Sequence, residues 1–221
     1  MREVGIDGST TATMAVSLTE ARAELVRGRI LQGVADVLAR GEAWTFASVA
    51  KAAAVPERTV YRYFPTREAL LGAIFDWSNQ RIGFQGQLPA NAAELTALAR
   101  RSFPGFDEVA PVIKELLMAP EGHLVRLRQK PLRQRTSLAL AKREVPGLDA
   151  KDTRRLAAVL QLLTQAATWQ ALRDYWDMDG AEAAEAAALA IELLLTGARA
   201  TGRKVKTTKL NKSPRRAKEP A

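Results

Sequence analysis

The chain has 221 residues, 47% of them hydrophobic, enough to bury roughly 70% of the unfolded surface in one or two cores and to exclude disorder throughout. Its 33 Lys and Arg against 24 Asp and Glu give a net charge of +9, yet nine of those bases and one acid fall within residues 197–221. The rest of the chain is therefore near neutral and has to meet any anionic partner through local patches.

With no Cys and a single His, disulfide scaffolds, thiolate zinc sites, Cys nucleophiles and Ser-His-Asp triads lose support together. No metal-ligand cluster, nucleophile–base pair or phosphate loop is visible, so the sequence reads as a non-enzyme that needs no cofactor. No stretch approaches 18 apolar residues and no secretory leader opens the chain, which predicts a soluble, cytoplasmic protein without membrane contact. Aromatic residues make up only 6% while Ala dominates many segments, a balance that favours closely packed helices and an all-α fold.

Residues 1–18 mix Gly, Ser and Thr without helical period and read as a flexible arm, within which Met14 offers an alternative start to Met1. A first helix is expected from about Thr19 to Arg40, carried by Val26, Ile30, Val34, Val37 and Leu38 and stopped by Gly41. Thr45 stands as N-cap before the run from Phe46 to Ala53, which Val55-Pro56 breaks. A third short helix reaches about Tyr63. After Phe64-Pro65, Thr66 caps a fourth, whose inner face is Ala69, Leu70, Ala73, Ile74 and Trp77.

From residue 80 the helical pattern is interrupted by Pro89, Pro104, Pro111, Pro120 and Pro131. Asp149 and Asp152 mark the start of a helix with a face of Leu156, Val159, Leu160, Leu163 and Ala167, running to Trp176. Asp179 and Glu182 have capping-box spacing before an Ala-rich helix that is expected to end at Thr196, ahead of Gly197. The remainder, 197–221, is polar, basic and Pro-containing and is expected to be a disordered tail that adds nonspecific affinity for DNA.

Residues 46–63 have the makings of a helix-turn-helix, which needs apolar residues inside both helices, a small residue at the crossing and a tight turn exposing one face of the second helix. Val49 and Ala53 form the inner face of the first helix, Ala50 is small at the crossing, Val55 closes the turn, and Val60 with Tyr63 anchors the second. Pro56, Glu57, Arg58, Thr59, Tyr61 and Arg62 then point outward. Arg offers paired donors to guanine, Thr and Pro meet a thymine methyl, and Tyr and Thr hydroxyls suit phosphate oxygens.

The stretch TFASVAKAAAVPERTVYRYFPTREALLGAIF, residues 45–75, closely resembles the DNA-binding domain of the TetR family of bacterial transcriptional regulators. The resemblance lies in its Thr, Val-Ala, Ala-x-Val and Thr-Val-Tyr-x-Tyr-Phe, and in a basic residue ahead of Glu-Ala-Leu. Two positions depart from that pattern: Ala54 stands where the family usually has Gly, and Pro56 where it often has Ser. Gly tolerates positive φ far better than Ala, so Ala54 is expected to strain or reshape the turn. Pro56 suits the first turn of a helix. The resemblance implies phosphate or groove contacts from Thr45, Thr59, Tyr61, Tyr63 and Arg67, leaving Glu57, Arg58 and Arg62 as candidates for sequence choice.

The resemblance further implies an N-terminal three-helix DNA-binding domain (19–77), joined through its fourth helix to a helical ligand-binding and dimerisation domain (78–196). Helices near 150–176 and 180–196 are the expected homodimer contact, and double-stranded DNA carrying a palindromic operator is the expected partner. An unidentified small-molecule effector is expected in a pocket for which Trp77, Phe84, Phe103, Phe106, Met118, His123 and Trp169 are candidates. Seven basic residues between Arg126 and Arg143, with no acid among them, either form a solvated helix face or favour an anionic effector. The expected function is a ligand-released repressor. The alternative is a nonspecific nucleoid-type DNA-binding protein acting through its basic tail.

Overall fold

The computed structural model describes residues 18–84 and 86–211, with side chains described through Thr201. Eleven α-helices and no strands occur among them, so the fold is all-α. The helices are α1 (Leu18–Ala39), α2 (Phe46–Ala52), α3 (Glu57–Tyr63), α4 (Arg67–Arg81), α5 (Ala92–Glu108), α6 (Ala110–Met118), α7 (Pro120–Leu127), α8 (Lys130–Glu144), α9 (Ala150–Leu162), α10 (Ala166–Trp176) and α11 (Gly180–Asn211). None of them is long and apolar enough to cross a membrane. Of the expected N-terminal arm, residues 1–17 lie outside the described residues, as does the tail from residue 212, while Leu18 begins α1.

The first four helices form where the sequence places them. Ile30, Val34 and Val37 are fully buried on α1, and the chain leaves that helix through Gly41 at φ +71°. Thr45 and Thr66 cap α2 and α4, each hydroxyl accepting a backbone N–H three residues on. The pre-proline residue Phe64 ends α3 with φ −138° and ψ 88°, as the ring of Pro65 requires, and its side chain is buried.

Four of the five prolines fall at helix boundaries as expected, Pro89 between α4 and α5, and Pro104 does not. Pro111, Pro120 and Pro131 occupy first-turn positions of α6, α7 and α8, where no intrahelical N–H is missed. Pro104 lies inside α5.

Two further expectations are corrected. The helix expected through to Trp176 is interrupted at 163–165, where the Thr164 hydroxyl bonds the Gln161 carbonyl at 3.2 Å and that of Thr168 the Leu162 carbonyl at 2.6 Å. Such side-chain bonds offer the backbone an alternative to continued helix. The stop expected at Gly197 is not used, and α11 runs on to Asn211. Ala198 packs on the core and Arg199 pairs with Glu144 at the end of α8, so residues 197–201 belong to the packed body rather than to a tail.

Two hydrophobic clusters hold the molecule. The larger joins α1–α4 to α5, α6, α7, α10 and the start of α11, with Phe64, Leu70, Phe103 and Trp169 among its fully buried members. The smaller joins Leu95 of α5, Leu140 of α8, Leu160 of α9 and Ile191 and Leu195 of α11. The expected division after residue 77 falls inside α4, and the larger cluster is continuous across it.

Candidate nucleic-acid interface and internal cavity

The turn between α2 and α3 is a Schellman motif. The Val55 N–H bonds the Ala50 carbonyl at 3.0 Å and the Ala54 N–H bonds that of Lys51 at 3.2 Å, which places Ala54 in the left-handed region at φ +50°. Glycine is the usual residue at such a position, and the strain expected of Ala54 is present. The close crossing behind the turn is made by Gly33 of α1. A Cβ there would lie 3.0 Å from the Ala53 nitrogen and 3.1 Å from the Val49 carbonyl oxygen, so α2 sits directly on the α1 backbone.

On that support Val49, Ala53 and Val60 face inward. Glu57, Arg58, Tyr61 and Arg62 are exposed, while Thr59 and Tyr63 are half-buried. Pro56 is the N-cap of α3 rather than a residue of its first turn, and its side chain supplies no capping bond. Tyr61 is held flat against Phe46, the rings 4.4 Å apart and 4° from parallel, and the Arg62 guanidinium lies 5.3 Å above the Tyr63 ring. Glu57 and Arg58 have no ion-pair partner among the described residues. Thr45 spends its hydroxyl locally, accepting from the Ser48 N–H at 3.0 Å, while the Ser48 hydroxyl accepts from the Thr45 N–H at 2.8 Å.

Arg67 is not a free cation. Its guanidinium donates to Glu115 on α6 at 2.9 Å, lies 3.7 Å from Glu121 on α7, and covers the Trp44 ring at 3.8 Å. The same Glu115 carboxylate accepts from the Trp44 indole N–H at 2.7 Å. Arg128, the C-cap of α7, makes a second tie, donating to Glu68 of α4 at 2.8 Å while lying over Gly72, where a Cβ would come within 3.0 Å of it. These two ties join α4, and the chain just ahead of α2, to α6 and the end of α7. Sequence reasoning missed Trp44 and Glu115, which are 71 residues apart and give no local signal.

A cavity of about 470 Å³ lies where the two hydrophobic clusters meet, within the range of small-ligand sites. Of the seven candidate pocket residues, Phe84, Phe106 and His123 line it. Phe103 and Trp169 are instead fully buried core, Met118 is 77% exposed, and Trp77 is half-buried under the Arg81 guanidinium. Trp169 is fixed by a 3.0 Å bond from its indole N–H to Asp107, a carboxylate that also accepts from Arg173 at 2.8 Å and from the Gly180 N–H. Asp107 therefore joins α5, α10 and α11 as a structural hub.

The walls that sequence reasoning missed come from the break between α9 and α10, through Gln161, Thr164 and Gln165, and from α7 and α8, through Arg126, Lys130 and Arg133. Among the described residues, no Asp or Glu lines the cavity. The side-chain Nε atoms of Arg126 and Arg133 are buried without a hydrogen-bond partner. Burial lowers the pKa of both guanidinium groups, and the charge of Arg126 lowers that of Arg133 further.

The C-terminal helices expose several apolar side chains. Ala183, Ala187, Ile191 and Leu195 of α11 face the core, whereas Leu189 and Leu193 are 58% and 64% exposed. Leu162 of α9, together with Tyr175 and Trp176 of α10, is also exposed. The described residues contain no cluster of His, Cys, Asp and Glu able to hold a metal ion.

Residues 41–74, from the exit of α1 into α4, match the family model described as bacterial regulatory proteins, tetR family. No curated protein and no solved structure matches the chain.

Proposed function

From the premise that this chain belongs to the tetR family of bacterial regulatory proteins, and so binds DNA to regulate transcription, we propose that it is a homodimeric repressor. It occupies a palindromic operator and leaves it when a small molecule fills the cavity. The observation that carries this reading is the outward face of α3, where Arg58 and Glu57 are exposed and unpaired on a turn fixed from behind by Gly33. Arg58 and Arg62 read bases, Glu57 stands at the head of the same face, and Pro56, Thr59, Tyr61 and Tyr63 meet groove walls and phosphates. Thr45 presents its part of the backbone to phosphate from the start of α2.

The dimer is built on the apolar outer face of α9–α11, with Leu162, Leu189 and Leu193 at its centre. Two-fold symmetry then sets two copies of α3 about one DNA turn apart or somewhat more. Release is conformational. Leu116 and Leu117 of α6 line the cavity next to Glu115, which holds Trp44 and Arg67. A ligand that moves α6 therefore moves the base of the helix-turn-helix. Tenfold release requires the ligand to prefer the DNA-incompetent arrangement by about 1.4 kcal/mol.

The test is selection of bound fragments from a genomic library at about 150 mM salt. It compares the natural chain with a full-length variant in which Lys212, Arg215, Arg216 and Lys218 are replaced by Gln. Enrichment of one palindrome by both proteins is the expected result. Binding by the natural chain alone, without enrichment, would instead make the protein a nonspecific nucleoid-type binder working through its tail.

A further inference from the structure

Of the half-buried arginines elsewhere among the described residues, three sit on carboxylates, Arg67 on Glu115, Arg173 on Asp107 and Arg199 on Glu144, and Arg27 lies over the Phe64 ring. Arg126 and Arg133 depart from that habit. Their remaining bonds are long neutral ones, from Arg126 to the Leu117 carbonyl and from Arg133 to the Gln129 side chain, both at 3.4 Å. The Nε–H of each is buried with nothing to receive it. A charged group held that way is costly unless an anion completes it.

Lys130 and His123 also line the cavity, and Arg126 lies close enough to Arg133 for its charge to act on it. An apolar part of the wall is formed by Phe75, Ile82, Phe106, Ile113 and Leu116. We propose that the cavity takes an organic anion with an apolar body, its acidic group received by Arg126 and Arg133 and its body lying against Phe106, Ile113 and Leu116. This names the effector class for the regulator reading above and rests on that reading only for its consequence at DNA. Guanidinium forks suit carboxylates and related oxyanions, and two of them together select against a neutral ligand of the same shape. The acid-free run from Arg126 to Arg143 thus contributes three basic residues to the cavity lining rather than only a solvated face.

Binding is measured without DNA, so the result does not depend on whether the protein represses. Two fluorescent probes of matching ring content are titrated into the full chain: 1-anilinonaphthalene-8-sulfonate, an anion, and uncharged N-phenyl-1-naphthylamine. In the Arg126→Met/Arg133→Met double variant the anion is expected to weaken at least about tenfold, and the neutral probe to stay within about twofold. Arg135→Met removes the same charge from the exposed side of α8 and is expected to leave both probes within about twofold. If the double variant does not fold, Arg133→Gln repeats the comparison.

Equal loss of both probes, an unchanged anion affinity, or the same loss in Arg135→Met would overturn the proposal. Competition for the bound anion then separates two sources of the same chemistry, decanoate for an acyl chain and 2-naphthoate for an aromatic acid, with decanol as the uncharged control. Displacement by either acid but not by decanol supports the proposal, whereas displacement by neither acid, or by decanol as well, rejects it.

Discussion

Arg58 and Arg62 on α3 and Arg126 and Arg133 at the cavity all lack a carboxylate among the described residues, but they sit in different surroundings. The first pair is exposed, hydrated at little cost, and available to whatever anion approaches. The second pair carries buried, unpartnered nitrogens and weighs on the folded state until something fills the cavity. On the readings proposed above, the same side chain would serve a polymer that approaches from outside in one place and a ligand that has to enter in the other. Helix α6 lies between the two regions, touching the cavity through Leu116 and the base of the helix-turn-helix through Glu115.

The most severe way to break this comparison is to spoil the support of the outer pair without touching it. Gly33→Val places a branched side chain against the backbone of α2, 3.0 Å from the Ala53 nitrogen, with no flexible neighbour to yield. A destabilisation of about 3 kcal/mol and loss of operator binding are expected in denaturant titration and in a DNA-binding assay. A stable variant that still binds would show that the crossing is not tight. Arg58→Ala comes next. It should cost about 2 kcal/mol on the best operator and relax base preference there, while leaving the melting temperature unchanged. Equal losses on cognate and scrambled DNA would remove Arg58 as a base reader.

Arg67→Ala separates two roles. As a phosphate contact it would lower the slope of affinity against salt by about one unit on every sequence. Engaged as it is with Glu115, Glu121 and the Trp44 ring, it is expected instead to leave the slope unchanged and to cost about 1 to 2 kcal/mol of stability, discounted for its partial exposure. A reduced slope with unchanged stability would restore the phosphate role. Arg133→Met should do the opposite of a typical core mutation. Removing a buried charge without a partner is expected to stabilise the ligand-free protein by about 1 kcal/mol, and a lower melting temperature would mean that the guanidinium is satisfied in solution.

The first four helices were legible because their information is local. Thr45 and Thr66 announce their caps, Gly41 its stop, and Ile30, Val34 and Val37 a face repeating every three to four residues. The turn at Ala54 could be read for the same reason. The cavity could not, because it is assembled from residues distant in the chain. Phe103 and Trp169 look like pocket aromatics in sequence, yet packing and the Asp107 hub draw them into the core. The break at Thr164 and the continuation through Gly197 depend on side-chain bonds to Gln161 and Glu144, which composition does not encode. Arg67 carries a helix-start signature, and only the fold brings Glu115 to it.

The smallest effect is expected where sequence and structure agree most closely. Ala54 occupies the left-handed position of the Schellman turn at φ +50°, where a Cβ costs roughly 1 to 2 kcal/mol. Glycine removes that cost but has more backbone freedom to lose on folding, a penalty of about 0.4 to 1 kcal/mol. Ala54→Gly should therefore stabilise the protein by about 0.5 to 1 kcal/mol in denaturant titration. Ala54 is exposed, so no packing is lost with its methyl group, and the hydrogen bonds from Val55 and Ala54 to α2 do not involve the side chain. Operator affinity should stay the same if the turn already holds α3 in its binding orientation. If affinity changes while stability rises, the alanine is there to set the angle of α3, and the strain is part of how this helix-turn-helix meets DNA.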